Sequence, residues 1–397
     1  MQRFTGKEYL YIDIANHYGL DKKPWNQRIE WVKTRLDKLE NYVAEAEEPA
    51  EYYAAVLALR EAQRGNKIGY PISLDATSSG AQIISLLVHD RNAAKHCNVI
   101  GSENREDIYT YIYQKMLDEL GEEAKIKRAD VKKAIMTMMY GSEATPKRVF
   151  GEGTTLLNTF YRVCNKEIPK VMEFMQMCLD LWNPKATEYS WIMPDGFTVH
   201  TKVKGAVAER FNWLNEPMDL IRYIEKPEDK GRSLGANSVH SIDSLMVREI
   251  TARCMINKTK LNYIKDWLLN PSGSKKCYDP MVDKLWKLYK QSGFLSARIY
   301  DYITKDNLYL IDDKEAMLKD LNTFPTTEFN VLAIHDCYKC LPKYGNNIRK
   351  QYIIQMIKIH KSNMLKFIFD QITGRDLKFN IKDDFSQEIL NSEYALS

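Results

Sequence analysis

Two short β-prone segments, each closing on an aspartate, constrain this chain more than any other feature. Residues 71–75 (PISLD) read as a strand ending at Asp75. Residues 329–334 (FNVLAI) form a continuous apolar run that suits a buried strand, and His335 and Asp336 follow directly. The two acids lie 336 − 75 = 261 positions apart. If both segments join one sheet, two carboxylates meet on rigid neighbouring strands. Two-metal phosphoryl transfer needs such a pair, with ions roughly 3.5–4 Å apart serving the attacking and leaving oxygens. Each acid alone has a plainer reading. Asp75 precedes a small-residue turn (Ala76 to Gly80) and a helix, where aspartate is a common N-cap, and Asp336 can simply begin a turn.

The remainder is mostly helical by pattern. Helices are predicted over Gln27–Glu47, Ala81–Asp90, Asp107–Leu120, Val131–Tyr140 and Glu167–Leu181. Pro194-Asp195-Gly196 between β-prone runs predicts a hairpin, and residues 271–274 (PSGS) a loop. The class is therefore α+β, mainly helical. Net charge is only +4, too little to argue nucleic-acid binding without local clustering. Seven irregularly spaced cysteines suit a reducing compartment. Cys337 and Cys340 lack a second ligand pair for zinc and read as packing beside a strand. The first residues have no apolar signal region and no run spans a bilayer, so a cytoplasmic chain without membrane contact is expected.

Charge does cluster around residue 130. Arg128 and Lys132 are one helical turn apart, and Lys125, Lys127 and Lys133 add potential with only Asp130 opposing. Such a face would clamp a triphosphate. Tyr140 lies two turns beyond Lys132, about 12 Å along the axis, within reach of the sugar and base of the same nucleotide. A solvated basic face ending in a Tyr-Gly stop is the alternative.

In order along the chain, these segments resemble motifs A, B and C of the single-subunit RNA polymerases of phages and mitochondria. Asp75-Ala-Thr-Ser-Ser-Gly80-Ala-Gln82 is similar to D-G-S-x-S-G-x-Q. Arg128, Lys132, Met136, Tyr140, Gly141 and Ser142 match R-x-x-x-K-R-x-x-M-x-x-x-Y-G-S, and His335-Asp336-Cys337 stands where H-D-S is usual. Asn237-Ser-Val-His240-Ser-Ile-Asp243 resembles N-F-V-H-S-x-D, and Ile389 to Ser397 resembles the family's I-L-x-S-D-F-A-F-A ending.

The resemblance implies a right-hand polymerase. Its palm, with a small antiparallel sheet, would take residues 1–91 and 241–397. Helical fingers would take 92–240, with a specificity-type hairpin near 197–232 and an insertion near 255–320. It further implies two Mg2+ ions on Asp75, Asp336 and the Ala76 carbonyl, and a triphosphate on Arg128 and Lys132, with Lys132 protonating the pyrophosphate. Tyr140 and His240 would sense the ribose, while Gly141, Ser142 and His335 line the site. Expected partners are a DNA template, nascent RNA and NTPs. A second subunit is expected to supply the thumb, the promoter-binding region and a D-x-x-G-R motif, as in a heterodimeric phage RNA polymerase acting in the host cytoplasm.

Ala76, Lys133 and Cys337 depart from the family's usual glycine, arginine and serine. Two rivals remain: a family A-type DNA polymerase and a catalytically silent nucleic-acid-binding subunit. The former usually carries a glutamate steric gate after the first aspartate, where Thr-Ser-Ser-Gly-Ala-Gln stands here. The latter has no need of two strand-end acids facing a cationic helix.

Overall fold

The computed structural model describes every residue except 103, 122–123, 271–274 and 382, so the loop expected at 271–274 lies outside the described residues. Among the described residues seven strands punctuate a helical chain: β1 (Ile72–Asp75), β2 (Glu188–Ile192), β3 (Thr198–Lys202), β4 (Lys204–Trp213), β5 (Glu216–Glu225), β6 (Leu332–Ile334) and β7 (Cys337–Cys340). The order β1-β7-β6 forms an antiparallel sheet from both ends of the chain; β2-β3 and β4-β5 are separate hairpins. In β1 the period of two sends Ile72 and Leu74 into the core and leaves Ser73 and Asp75 on the opposite face. The β1–β7 register sets Ile72 against Cys340 and Asp75 against Cys337.

Behind the sheet lies the Ser79–Val88 helix, buried along its whole length. The Pro169–Asp180, Ser233–Met255 and Gly345–Lys361 helices pack around it. Two sequence expectations change. The helix expected over Gln27–Glu47 divides into Trp25–Lys33 and a 3-10 stretch, Leu36–Glu45. Carbonyls there are drawn to a neighbouring helix: Arg60 Nη2 donates to Leu36 O at 2.7 Å and the Tyr52 hydroxyl to Leu39 O at 3.0 Å. The strand expected over 329–334 shrinks to Leu332–Ile334 and is not buried, Leu332 being 58% and Ile334 50% exposed. β6 pairs on one side only and is the sheet's edge.

The hairpin at Pro194-Asp195-Gly196 forms as β2–β3, and its buried Asp195 takes Arg248 Nε at 2.5 Å. A second hairpin, β4–β5, turns at Leu214 and Asn215, whose φ angles of 51° and 66° suit a two-residue hairpin turn. Phe211, Trp213, Leu214, Met218, Leu220, Ile221, Tyr223 and Ile224 stand exposed along it. Its charges pair mostly within it, Arg222 with Glu209 and Arg210 with Asp219, while Glu225 pairs with Lys202 of β3.

The described residues of 255–320 belong to the packed body. Ile264, Val282, Trp286 and Met317 are buried. A buried ionic knot ties this region in: Asp320 receives Arg253 at 3.1 Å, Lys358 at 2.9 Å and the Tyr300 hydroxyl at 2.9 Å. Burial pushes the Asp320 carboxyl up, but Arg253 and Lys358 prevail and hold it below its ordinary value. Among the described residues no helix is long and apolar enough to cross a membrane. Asp320→Ala strands two buried cations and is expected to cost about 3–5 kcal/mol, read as a lowered urea midpoint.

Candidate active site

Asp336 sits in the two-residue turn joining β6 to β7, where Ile334 pairs with Cys337. His335, exposed, absorbs the reversal with a left-handed φ of 55°. Cys337 in turn faces Asp75, so the turn lands beside the end of β1. The Ala76 amide donates to the Asp336 carbonyl at 3.2 Å and fixes that approach. The chain's last residues brace the same point. Asp75 N donates to Ser397 O at 3.3 Å, Ser397 N to Asp75 O at 2.9 Å, and Thr77 N to Ala395 O at 3.2 Å. Gln82 Nε2 donates to Ala395 O at 3.0 Å, while Gln82 Oε1 accepts from the Tyr352 hydroxyl at 2.6 Å. Tyr394 stacks on Trp25 with ring centroids 5.2 Å apart.

The electrostatics there are those of crowded acids. Burial first, and then the neighbouring Asp336, push the Asp75 carboxyl up from 3.8 to about 6. The Ala76 amide opposes that rise only in part. Asp75 is ringed by protein mass, yet its side chain still reaches solvent in the cleft. Asp243, one turn after His240 on the Ser233–Met255 helix, is likewise pushed up to about 6 by burial and by Asp336.

A cleft of about 540 Å³ opens over Asp75 and Ala76, with Asp107, Tyr109, Arg128 and Lys132 in its wall. Arg128 begins its helix and Lys132 follows one turn later, so both reach the cleft, whereas Lys133 points to solvent. Arg128 forms an ion pair with Asp107, and its Nε donates to Thr110 Oγ1 at 2.6 Å. Asp107 also caps its own helix, accepting from the Tyr109 amide at 3.0 Å. Burial pushes the Asp107 carboxyl up, but the Arg128 and Thr110 bonds prevail and hold it low. Lys132 Nζ stands 5.7 Å from the Tyr109 ring centroid, and the Tyr109 hydroxyl meets Ser78 Oγ at 2.9 Å.

Tyr140 and His240, a hundred residues apart in sequence, stack face to face with centroids 4.6 Å apart and planes 2° apart. Burial, then Asp243, push the Tyr140 phenol up to about 12, and burial lowers His240. A Cβ on Gly80 would lie 2.6 Å from the Tyr140 hydroxyl, so the glycine makes room for this ring against the turn after Asp75. Gly141, at φ 83°, admits the Arg232 carbonyl, which a Cβ would meet at 2.6 Å. Ser142 Oγ accepts from the Thr145 amide at 3.3 Å and starts the next helix.

The fold thus gathers Asp75, Ala76, Arg128 and Lys132 around one cleft, brings Asp336 to the end of β1 through the β6–β7 turn, and stacks Tyr140 on His240 beside the turn after Asp75. Sequence reasoning missed Asp107, Tyr109 and Arg105, and quoted Asp243 as the end of a motif without giving it a role. Asp107 carried a signal, an acid opening an amphipathic helix; Arg105 carried none.

Hard oxygen donors that repel one another fit a divalent cation. The set is two carboxylates and the Ala76 carbonyl, and among the described residues no three His, Cys, Asp or Glu side chains form a closed cage. Such an open set suits an ion that keeps waters and substrate phosphates as its other ligands.

Residues 4–150 match the family model described as DNA-dependent RNA polymerase. The chain is 30% identical to a probable DNA-directed RNA polymerase of Neurospora crassa over 44% of its own length and 21% of that protein's. It is 22% identical to a probable DNA-directed RNA polymerase of Agaricus bitorquis over 99% of its own length and 41% of the relative's. It is also 22% identical to the DNA-directed RNA polymerase of Pseudomonas phage phiKMV, over 67% and 40% of the two chains. The chain spans less than half the length of each of these relatives.

Because the folded chain binds the Asp75 proton more tightly than the unfolded one, metal-free stability falls as pH rises from about 4 through about 6. In chelator, Asp75→Asn should melt roughly 2–4 °C above the parent at pH 8, a gain kept small by solvent screening at this site. The gain should vanish near pH 4; differential scanning fluorimetry across that range checks it.

Proposed function

We propose that this chain, a relative of the single-subunit-type RNA polymerases of phages and mitochondria, is the catalytic part of a DNA-directed RNA polymerase. It joins NTPs to an RNA 3′-hydroxyl on a DNA template. The observation that carries this reading is the meeting of Asp75 and Asp336 at one sheet end, with Arg128 and Lys132 in the wall of the cleft that opens over Asp75. Residues 1–91 and 241–397 act as the palm and 92–240 as the fingers.

Asp75, Asp336 and the Ala76 carbonyl would hold two Mg2+ ions, which supply charge neutralisation at the attacking and leaving oxygens. Arg128 and Lys132 bind and orient the triphosphate, and positioning of this kind supplies much of the rate in phosphoryl transfer. Lys132, whose ammonium can approach the leaving side, hands a proton to the departing pyrophosphate. Tyr140, held flat by His240 and backed by Gly80, presents its hydroxyl toward the sugar and favours ribonucleotides. Asp243 stays close to Asp336 and adds negative charge to the palm floor. Gly141 and Ser142 set the turn that follows Tyr140, and His335 sets the one that carries Asp336.

A second subunit contributing the thumb belongs to this proposal. The open edge of β6, with Leu332 and Ile334 exposed beside Asp336, gives such a part an apolar surface to rest on.

Two measurements test the reading. Asp336→Asn should abolish primer extension on an RNA–DNA hybrid while leaving hybrid affinity within about twofold, since the charge lost faces phosphates only through the ions. Undiminished extension would remove Asp336 from the chemistry. Gly80→Ala should displace the Tyr140 hydroxyl and lower the preference for ATP over dATP by roughly tenfold, about the worth of one positioned hydrogen bond. An unchanged ratio would detach Tyr140 from sugar selection.

A further inference from the structure

We infer that Arg105 is a phosphate-binding residue of the cleft, taking the triphosphate of the incoming nucleotide beside Arg128 and Lys132. The inference rests on the reading of Arg128 and Lys132 given above and adds a group that no motif marks.

Three observations support it. Arg105 lines the same cleft as Asp75, Arg128 and Lys132. Its Nε is closed off from solvent and has no hydrogen-bond partner among the described residues. A guanidinium nitrogen closed off from water and left unmatched is costly, and a fold tolerates the cost where a ligand repays it. Arg28 shows how a structural arginine is treated nearby. Also buried, it donates from Nε to Lys23 O at 2.7 Å and from Nη1 to Asn16 Oδ1 at 2.9 Å, and it bonds the Asp21 carbonyl as well. Arg105 has no such set.

Its electrostatic surroundings point the same way. Burial is the largest influence lowering the Arg105 guanidinium, Arg128 adds repulsion, and Asp21 and Asp107 oppose both. Arg105 and Arg128 thus flank Asp107, which is fully committed to Arg128, Thr110 and its own helix cap. With Asp107 so committed, Arg105, Arg128 and Lys132 present three cationic side chains in the lining of one cleft. A polyanion with several oxygens answers such a cluster, and the planar fork of arginine suits phosphate oxygens in pairs.

The phosphate could belong to a nucleotide or to a nucleic-acid backbone, and the test separates the two. In the full chain, purified with any subunit it requires, Arg105→Met is compared with Arg105→Lys and with Arg128→Ala. Equilibrium binding of a fluorescent ATP, displacement by inorganic pyrophosphate, affinity for an RNA–DNA hybrid and the melting temperature are read together. Arg105→Met should weaken ATP and pyrophosphate about tenfold and leave hybrid affinity unchanged. Its melting temperature should hold or rise, because an unmatched buried group has gone. Arg105→Lys should recover part of the nucleotide affinity.

Unchanged ATP affinity overturns the inference. So does a loss confined to the hybrid, which would assign the group to the backbone. A lowered melting temperature with ATP affinity intact makes Arg105 structural and overturns it equally. If Arg128→Ala also leaves ATP binding untouched, the reading of the cleft itself fails, an outcome distinct from failure at Arg105 alone.

Discussion

Two carboxylates that repel one another are held side by side by backbone hydrogen bonds, and much of the structure serves that contact. The ladder between β1 and β7 fixes Asp75 opposite Cys337, and the tight turn before Cys337 leaves Asp336 little freedom. The pairing from Ala395 to Ser397 adds a further backbone partner on the same point. Gln82 fastens that tail to the Ser79–Val88 helix and to Tyr352. Hydrogen bonds of this number, each of modest net worth, together outweigh a screened repulsion between acids that solvent still reaches. Burial first, and then the repulsion from Asp336, leave raised proton affinity at Asp75 and Asp243.

The opposite wall is organised by two side chains of one helix start. Asp107 restrains Arg128, and Tyr109 lies under Lys132 while its hydroxyl touches Ser78 in the turn after Asp75. The cationic helix and the acidic sheet end are therefore linked through the Ile108–Leu120 helix. Charge on one side and counter-charge on the other are set by packing before any ligand arrives, which is the condition under which electrostatic positioning is effective.

Much of this site was legible in sequence because its parts are local patterns: an acid closing a strand, two cations one turn apart, a Tyr-Gly stop. The class and the β2–β3 hairpin were legible for the same reason. What escaped was set by tertiary contacts. The stretch Gln27–Glu47 has helical composition, yet Arg60 and Tyr52 capture its carbonyls and break it. The FNVLAI run reads as buried, but only Phe329 and Val331 are, because β6 lies at a sheet edge. No local pattern marks Asp320, Arg253 and Lys358, which form the buried knot joining distant segments. Arg105 was invisible since its interest lies in an Nε without a partner among the described residues.

The β4–β5 hairpin has a consequence for how this surface responds to solution conditions. Between residues 204 and 225 three cations (Lys204, Arg210, Arg222) stand against four anions (Glu209, Glu216, Asp219, Glu225), and most are spent on each other. Added electrolyte has little there to screen, whereas it competes directly with phosphates for the cleft cations. Under the proposed function, any contact made through the hairpin's aromatic and aliphatic side chains would hold, or tighten, in strong brine while binding of phosphates in the cleft weakens. The two surfaces would then differ in their tolerance of ionic strength.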